Sequence, residues 1–205
     1  MTKLTEKFIA EAIQEFQKSQ ESHPTMPSSL FHNVKLRQSA VMIPLFQNEG
    51  NWHVLLTNRS NNLVEHRGQV AFPGGAKDRE DQDLQETALR EMYEEVGILP
   101  EKVRVYGHLG EIKIVTGYIV SLFVGKVPWP YDLRINPDEV ESTFTVPLEW
   151  LANPQHRTIE YRRYAGREIP VIFFDNYEGH QLWGASADMT MILLDALGLS
   201  HGFVQ

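Results

Sequence analysis

Glu91, Glu94 and Glu95 lie three and four positions apart in a stretch, Leu84 to Glu95, composed mostly of good helix formers. That spacing sets three carboxylates on one helix face within a single turn. Like charges so close repel one another, so the arrangement asks for a cation among them. Oxygen-only ligands favour a hard divalent ion, Mg²⁺ or Mn²⁺, over zinc. A lone run of this type is most often a solvated helix face. Here it has company. A Phe72-Pro73-Gly74-Gly75 turn precedes it, Asp81 lies between, and Arg90 adjoins Glu91. Gly97 is placed to stop the helix, with Pro100 just beyond.

The elements that must hold these groups are legible in outline. Residues 2–20 read as an amphipathic helix with Leu4, Phe8, Ile9, Ala12, Ile13 and Phe16 on one face, packed on its own domain or on a partner subunit. His23 to Ser29, with Pro24 and Pro27, reads as a linker, which divides the chain into 1–30 and a domain over 31–205. Arg37–Phe46 and Trp52–Thr57 form a strand pair joined by a turn at Gly50. Arg59 to Gln69 is a polar loop, and Thr57 and Ser60 read as turn residues. Val70–Phe72, Val103–Leu109, Tyr118–Val127 and Pro170–Phe174 read as further strands. Asp138 to Ser142 is an acidic loop, Pro147–Ala152 a short helix, and Ala187–Leu197 a buried closing helix. Such an order of elements suggests an α/β protein with a mixed central sheet between helices.

Bulk properties narrow the function. At 205 residues the chain suffices for one domain with a real core. A net charge of −8 argues against sequence-independent nucleic-acid binding and means that an anionic substrate must be attracted locally. There is no cysteine, which excludes disulfides, thiol catalysis and thiolate-held metals. No apolar run approaches membrane-spanning length and no signal-peptide segment opens the chain, so no membrane role and a cytoplasmic location are expected.

The stretch Gly75 to Ile98 resembles the Nudix box, in which a glycine, a glutamate and an Arg-Glu-x-x-Glu-Glu-x-Gly run recur at fixed spacing. Gly75, Arg90, Glu91, Met92, Glu94, Glu95, Gly97 and Ile98 fit. Asp81 takes the place of the first glutamate, with eight residues rather than seven before Arg90. The resemblance implies the Nudix α/β/α sandwich, here with the N-terminal helix added, and hydrolysis of a nucleoside diphosphate linked to another group. Upstream, Leu55-Leu56-Thr57, Arg59-Ser60, Leu63, His66-Arg67-Gly68-Gln69-Val70 and Phe72-Pro73-Gly74-Gly75 are similar to the signature of coenzyme A pyrophosphatases. So are Asn136 to Glu141, Val146-Pro147-Leu148 and Trp183 to Ala187. This implies cleavage of CoA or acyl-CoA to 3′,5′-ADP and (acyl-)4′-phosphopantetheine, and at family level a homodimer. ADP-ribose, NADH or a dinucleoside polyphosphate are alternative substrates, and a non-catalytic nucleotide sensor is a third reading.

On this basis Glu91, Glu94 and Glu95 are expected to hold Mg²⁺ or Mn²⁺, with the Gly75 carbonyl as a further ligand. Activation of water falls to a box glutamate, Glu94 or Glu95, or to Glu139 or Glu141; the sequence leaves these open. Arg90 is expected to orient a glutamate rather than touch substrate. Arg59, His66 and Arg67 are candidates for substrate phosphates, because arginine binds phosphate bidentately and stays charged; Gly74 and Gly75 would permit close approach. His66 is as readily a turn-capping residue. Trp52, Trp129 and Trp183 either stack on adenine or belong to the core.

Overall fold

Strand β1 (Arg37–Asn48) is buried at eight consecutive positions, as a strand covered on both faces must be. In the computed structural model, which describes residues 4–19, 31, 34–61, 68–164 and 166–200, everything else is arranged around it. Helix α1 (Glu6–Ser19) precedes it. The C-terminal half of β1 pairs antiparallel with β2 (Asn51–Arg59), and its N-terminal half pairs antiparallel with β4 (Gly74–Ala76). Between these come β3 (Val70–Ala71) and, after β4, helix α2 (Leu84–Val96). Strands β5 (Arg104–Ile114) and β6 (Tyr118–Lys126) form a hairpin whose second strand runs parallel to β1. Strand β7 (Val140–Pro147) pairs with the outer edge of β2. The result is a seven-stranded mixed sheet.

Its two faces carry separate apolar clusters. On one, Ala88, Met92 and Val96 of α2 pack on Ala40, Met42, Phe46 and Leu55. On the other, α1, α3 (Leu148–Ala152) and α4 (Gly184–Ala196) cover Val41, Ile43, Leu45, Val54 and Leu56. This is an α/β/α sandwich, as expected. A second antiparallel sheet of β8 (Arg157–Tyr164), β9 (Arg167–Tyr177) and β10 (His180–Trp183) follows.

Several readings need correction. The Gly-Gly segment is the short strand β4, not a free turn, because its backbone completes the ladder that β2 leaves as it diverges from β1. The acidic stretch 138–142 runs into β7, whose Val140, Phe144 and Val146 are buried at alternate positions. Thr57 is inside β2, 1% exposed, with its hydroxyl donating to Ala71 O at 3.2 Å. Strands β8 and β10 carry no apolar alternation and were not anticipated.

Helix α1 belongs to the same core as the sheet. Ile9 and Ile13 are fully buried, and Trp52 Nε1 donates to Leu4 O at 2.9 Å. Glu6 reaches Arg104 and Lys126 on β5 and β6. No helix among the described residues is long and apolar enough to cross a membrane. Ile13→Ala removes a fully buried side chain and is expected to cost about 2–5 kcal/mol in urea unfolding. A loss below about 1 kcal/mol would mean that α1 lies outside the cooperative core.

Candidate active site

Local chemistry fixes both ends of α2. Asp83 caps its start by accepting from Glu86 N at 2.8 Å, and Glu86 reaches back to Gln82 N at 2.7 Å. Gly97 ends it in the left-handed region at φ 76°, with its N–H on Tyr93 O at 2.8 Å. A Cβ at position 97 would lie 2.8 Å from Arg134 Cβ, so glycine also admits the 134–140 segment. That segment satisfies two carbonyls the helix end leaves open: Arg134 N donates to Val96 O at 3.0 Å and Asn136 N to Glu95 O at 3.0 Å.

The same segment delivers a carboxylate. Glu139 N and Val140 N both donate to Asn136 O, Glu139 O accepts from Ser60 N, and Asn136 Nδ2 donates to Glu139 Oε1 at 3.3 Å. Oxygens of Glu91, Glu95 and Glu139 thereby lie within 4.8 Å of one another. Glu95 is 2% exposed, and its Oε2 is buried without a hydrogen-bond partner. Desolvation pushes its pKa up to about 8; Glu91 and Glu139 add to the rise, while Arg59 and the Gly74 N–H oppose it. Desolvation likewise raises Glu91, against the pull of Arg90. Three clustered carboxylates with an orphaned buried oxygen suit a hard divalent cation: the donors are all oxygen, and the two arginines that meet them, Arg59 and Arg90, stand at the margin.

Glu94 is not in this cluster. It is half exposed and turned to Arg90, 2.8 Å away, because the burial of Ala88, Met92 and Val96 rotates it off the sheet side. Arg90 serves as a clamp. It makes a two-point ion pair with buried Asp81, Nε–Oδ1 2.9 Å and Nη2–Oδ2 3.0 Å. It also reaches Ala76 O at 3.1 Å and Glu91 Oε1 at 3.0 Å. Asp81 accepts as well from Asp78 N and Thr87 Oγ1, both at 2.9 Å, and the Arg90 guanidinium holds its carboxyl well below the usual carboxylate range.

Gly75 makes room for a carboxylate and Gly74 for the backbone of β1. A Cβ on Gly75 would stand 2.4 Å from Glu91 Oε2, and one on Gly74 would meet Ala40 O at 2.4 Å. Arg59, at the end of β2, brings Nη1 to 3.7 Å from Glu95 Oε1, with its Nε buried and unpartnered. Its backbone pairs with Gln69 and Gly68, which sets these two residues beside the end of β2. His66 and Arg67 lie outside the described residues. Glu141 points elsewhere, accepting from Asn61 Nδ2 at 2.7 Å. Trp52 and Trp129 are held in core contacts, the latter stacked on Phe46, and Trp183 stacks on Phe173 in the second sheet. Asn136 was missed as a positioning residue; the Asn-Pro-Asp run was its signal.

Two outcomes follow from these contacts. Glu95 folded holds its proton to about pH 8, against an ordinary value of 4.5, so between these the folded state binds the extra proton. Stability contributed this way is present below the lower value and lost as pH rises through the upper one. Thermal unfolding in chelator should therefore fall from about pH 5 to pH 8, and Glu95→Gln should flatten that slope. Asp81→Ala removes two of the guanidinium's contacts and leaves Asp78 N without its acceptor, and is expected to cost about 1–3 kcal/mol by denaturant titration; a cost under about 0.5 kcal/mol would refute the clamp.

Comparison with known proteins gives the family. The NUDIX domain family model matches residues 36–169. A Nudix hydrolase NudL of Photorhabdus laumondii, named as uncharacterized, is 39% identical over 165 residues, covering 80% of this chain and 86% of its own. Its counterpart in Citrobacter koseri is also 39% identical over 165 residues, covering 80% and 84%. Among solved structures, a MutT/nudix family protein of Enterococcus faecalis superposes with a TM-score of 0.52 at 16% identity, covering 94% of this chain and 73% of that one. The Nudix domain of Shewanella oneidensis NrtR, complexed with ADP ribose, gives 0.47 at 19% identity over 60% and 85%. With its family model, its relatives and its carboxylate helix in agreement, the chain belongs to the Nudix hydrolase family.

Proposed function

We propose that this protein hydrolyses the pyrophosphate bond of coenzyme A or acyl-CoA, releasing 3′,5′-ADP and (acyl-)4′-phosphopantetheine. The observation that carries the reaction class is the Glu91–Glu95–Glu139 cluster with Arg59 on its margin. The substrate choice is supported by the motif from Leu55 to Gly75 that resembles coenzyme A pyrophosphatases.

Glu91 and Glu95 would hold Mg²⁺ or Mn²⁺, with the Gly75 carbonyl as a further oxygen, and the ion would neutralise the pyrophosphate and acidify a bound water beside Glu139. Arg59 binds a phosphate oxygen from the β2 side, its guanidinium already beside Glu95. Glu139 takes the proton of the attacking water on a carboxylate oxygen. It alone of the three rides on a loop, and Asn136 fixes its other oxygen. Glu94 and Arg90 orient Glu91 from behind, without meeting substrate. His66 and Arg67 are proposed to meet the 3′-phosphate.

The test is chromatographic product analysis with CoA, ADP-ribose and NADH in Mg²⁺ or Mn²⁺. CoA should yield 3′,5′-ADP, and Glu95→Gln and Glu139→Gln should each lower kcat by about two orders of magnitude or more. Arg59→Ala should act mainly on KM. Cleavage of ADP-ribose or NADH with CoA untouched would overturn the substrate assignment and leave the metal site standing. No cleavage of any of the three would favour a nucleotide sensor.

A further inference from the structure

The second sheet ends in an open edge. β8 pairs with β9 along its whole length and, among the described elements, no strand lies on its other side. Seven of its eight residues are exposed, and it contains no proline, no lysine and no bulge. Those devices keep sheet edges apart, and so do charged side chains; here the exposed charges, Glu160, Arg162 and Arg163, come in both signs and can pair with a second copy as well as repel it. It carries large side chains held out to solvent, Tyr161 at 70% exposed and Ile159 at 43%, while Tyr164, 40% exposed, donates its hydroxyl to Val115 O at 3.4 Å. By strand alternation Ile159, Tyr161 and Arg163 share one face, and Thr158, Glu160, Arg162 and Tyr164 the other. Glu160 and Arg162 meet at 2.6 Å, and the Arg162 guanidinium sits 5.3 Å from the Phe173 ring, which steadies it.

We propose that β8 is a dimerisation edge: a second copy of this chain adds its own β8 antiparallel, about a two-fold axis at Tyr161. The strand is its own complement. An axis perpendicular to the sheet keeps every side chain on its face, so only registers that place a residue on the axis opposite itself are allowed. With Tyr161 on the axis, Glu160 of each copy faces Arg162 of the other, and the two phenol rings meet. Ile159 is then covered by the stem of Arg163, and Thr158 faces Tyr164. The two Glu160–Arg162 pairs within the copies and the two between them close into one ring of alternating charge. Sliding by one step in either direction is penalised. One shift puts Glu160 against Glu160, the other Arg162 against Arg162, and like charges directly opposite are destabilising. Charge therefore selects both the occupant and the register. The wider resemblance implies only that a homodimer exists; the sequence RTIEYRRY says where. This assignment does not rest on the catalytic reading, and its failure leaves that reading untouched.

Sedimentation velocity over a range of protein concentrations tests it, with circular dichroism as the check on folding. The wild-type chain should sediment as a dimer. Glu160→Arg sets arginine against arginine across the edge and should weaken association by about tenfold or more. Tyr161→Lys, which puts two ammonium groups on the axis, should do the same. Combining Glu160→Arg with Arg162→Glu rebuilds the pairs in the opposite sense and should restore the dimer. A monomeric wild type, a Glu160→Arg variant that associates like wild type, or a folded double variant that stays monomeric would each overturn the proposal. Pyrophosphatase activity measured on the same samples reads the other proposal separately.

Discussion

Mutual repulsion among three crowded carboxylates is the constraint that the rest of this molecule is built to withstand. Left to themselves, Glu91, Glu95 and Glu139 would move apart. Two of them are fixed on a helix whose apolar side is locked onto the sheet by Ala88, Met92 and Val96. The third is stitched in by the backbone of 134–140, which uses carbonyls that any helix end leaves open. The chain supplies counter-charge only at the edges, through Arg59 and Arg90. The centre stays uncompensated, which is the property a cation-binding site requires.

Asp81 explains how a departure from the usual box spacing leaves the architecture intact. An aspartate is one methylene shorter than glutamate, and here the loop before α2 is one residue longer. The carboxylate still reaches both Nε and Nη2 of Arg90, and Asp78 N and Thr87 Oγ1 occupy its remaining lone pairs. Backbone length has been exchanged for side-chain length, and the clamp on Glu91 is kept.

What could be read in advance follows the range of the interactions involved. Helix α2, its caps and the glycines that flank it are specified by neighbours in sequence, and they were legible. Glu94 and Glu95 looked equivalent because spacing alone does not fix the rotation of a helix about its axis; the packing of Met92 does. Choosing between Glu139 and Glu141 needed the bonds from Asn136 to Glu95 O, a contact between distant segments. Strand β7 hid behind an acidic start, although the alternation of Val140, Phe144 and Val146 marks it. Strand β8 has one buried residue, so it offers no apolar rhythm to detect.

The division of the three carboxylates between α2 and the 134–140 segment has a consequence for how the protein is made. A chain leaving the ribosome acquires Glu91 and Glu95 first, on a helix that can form once β1 and β4 are in place. Glu139 comes later in the chain, and its place beside them rests on the 134–136 backbone bonded to the helix end and on β7 paired with β2. Nascent chains thus carry an incomplete cage. The carboxylate cluster is complete only when the segment leading into the last strand of the seven-stranded sheet has been synthesised.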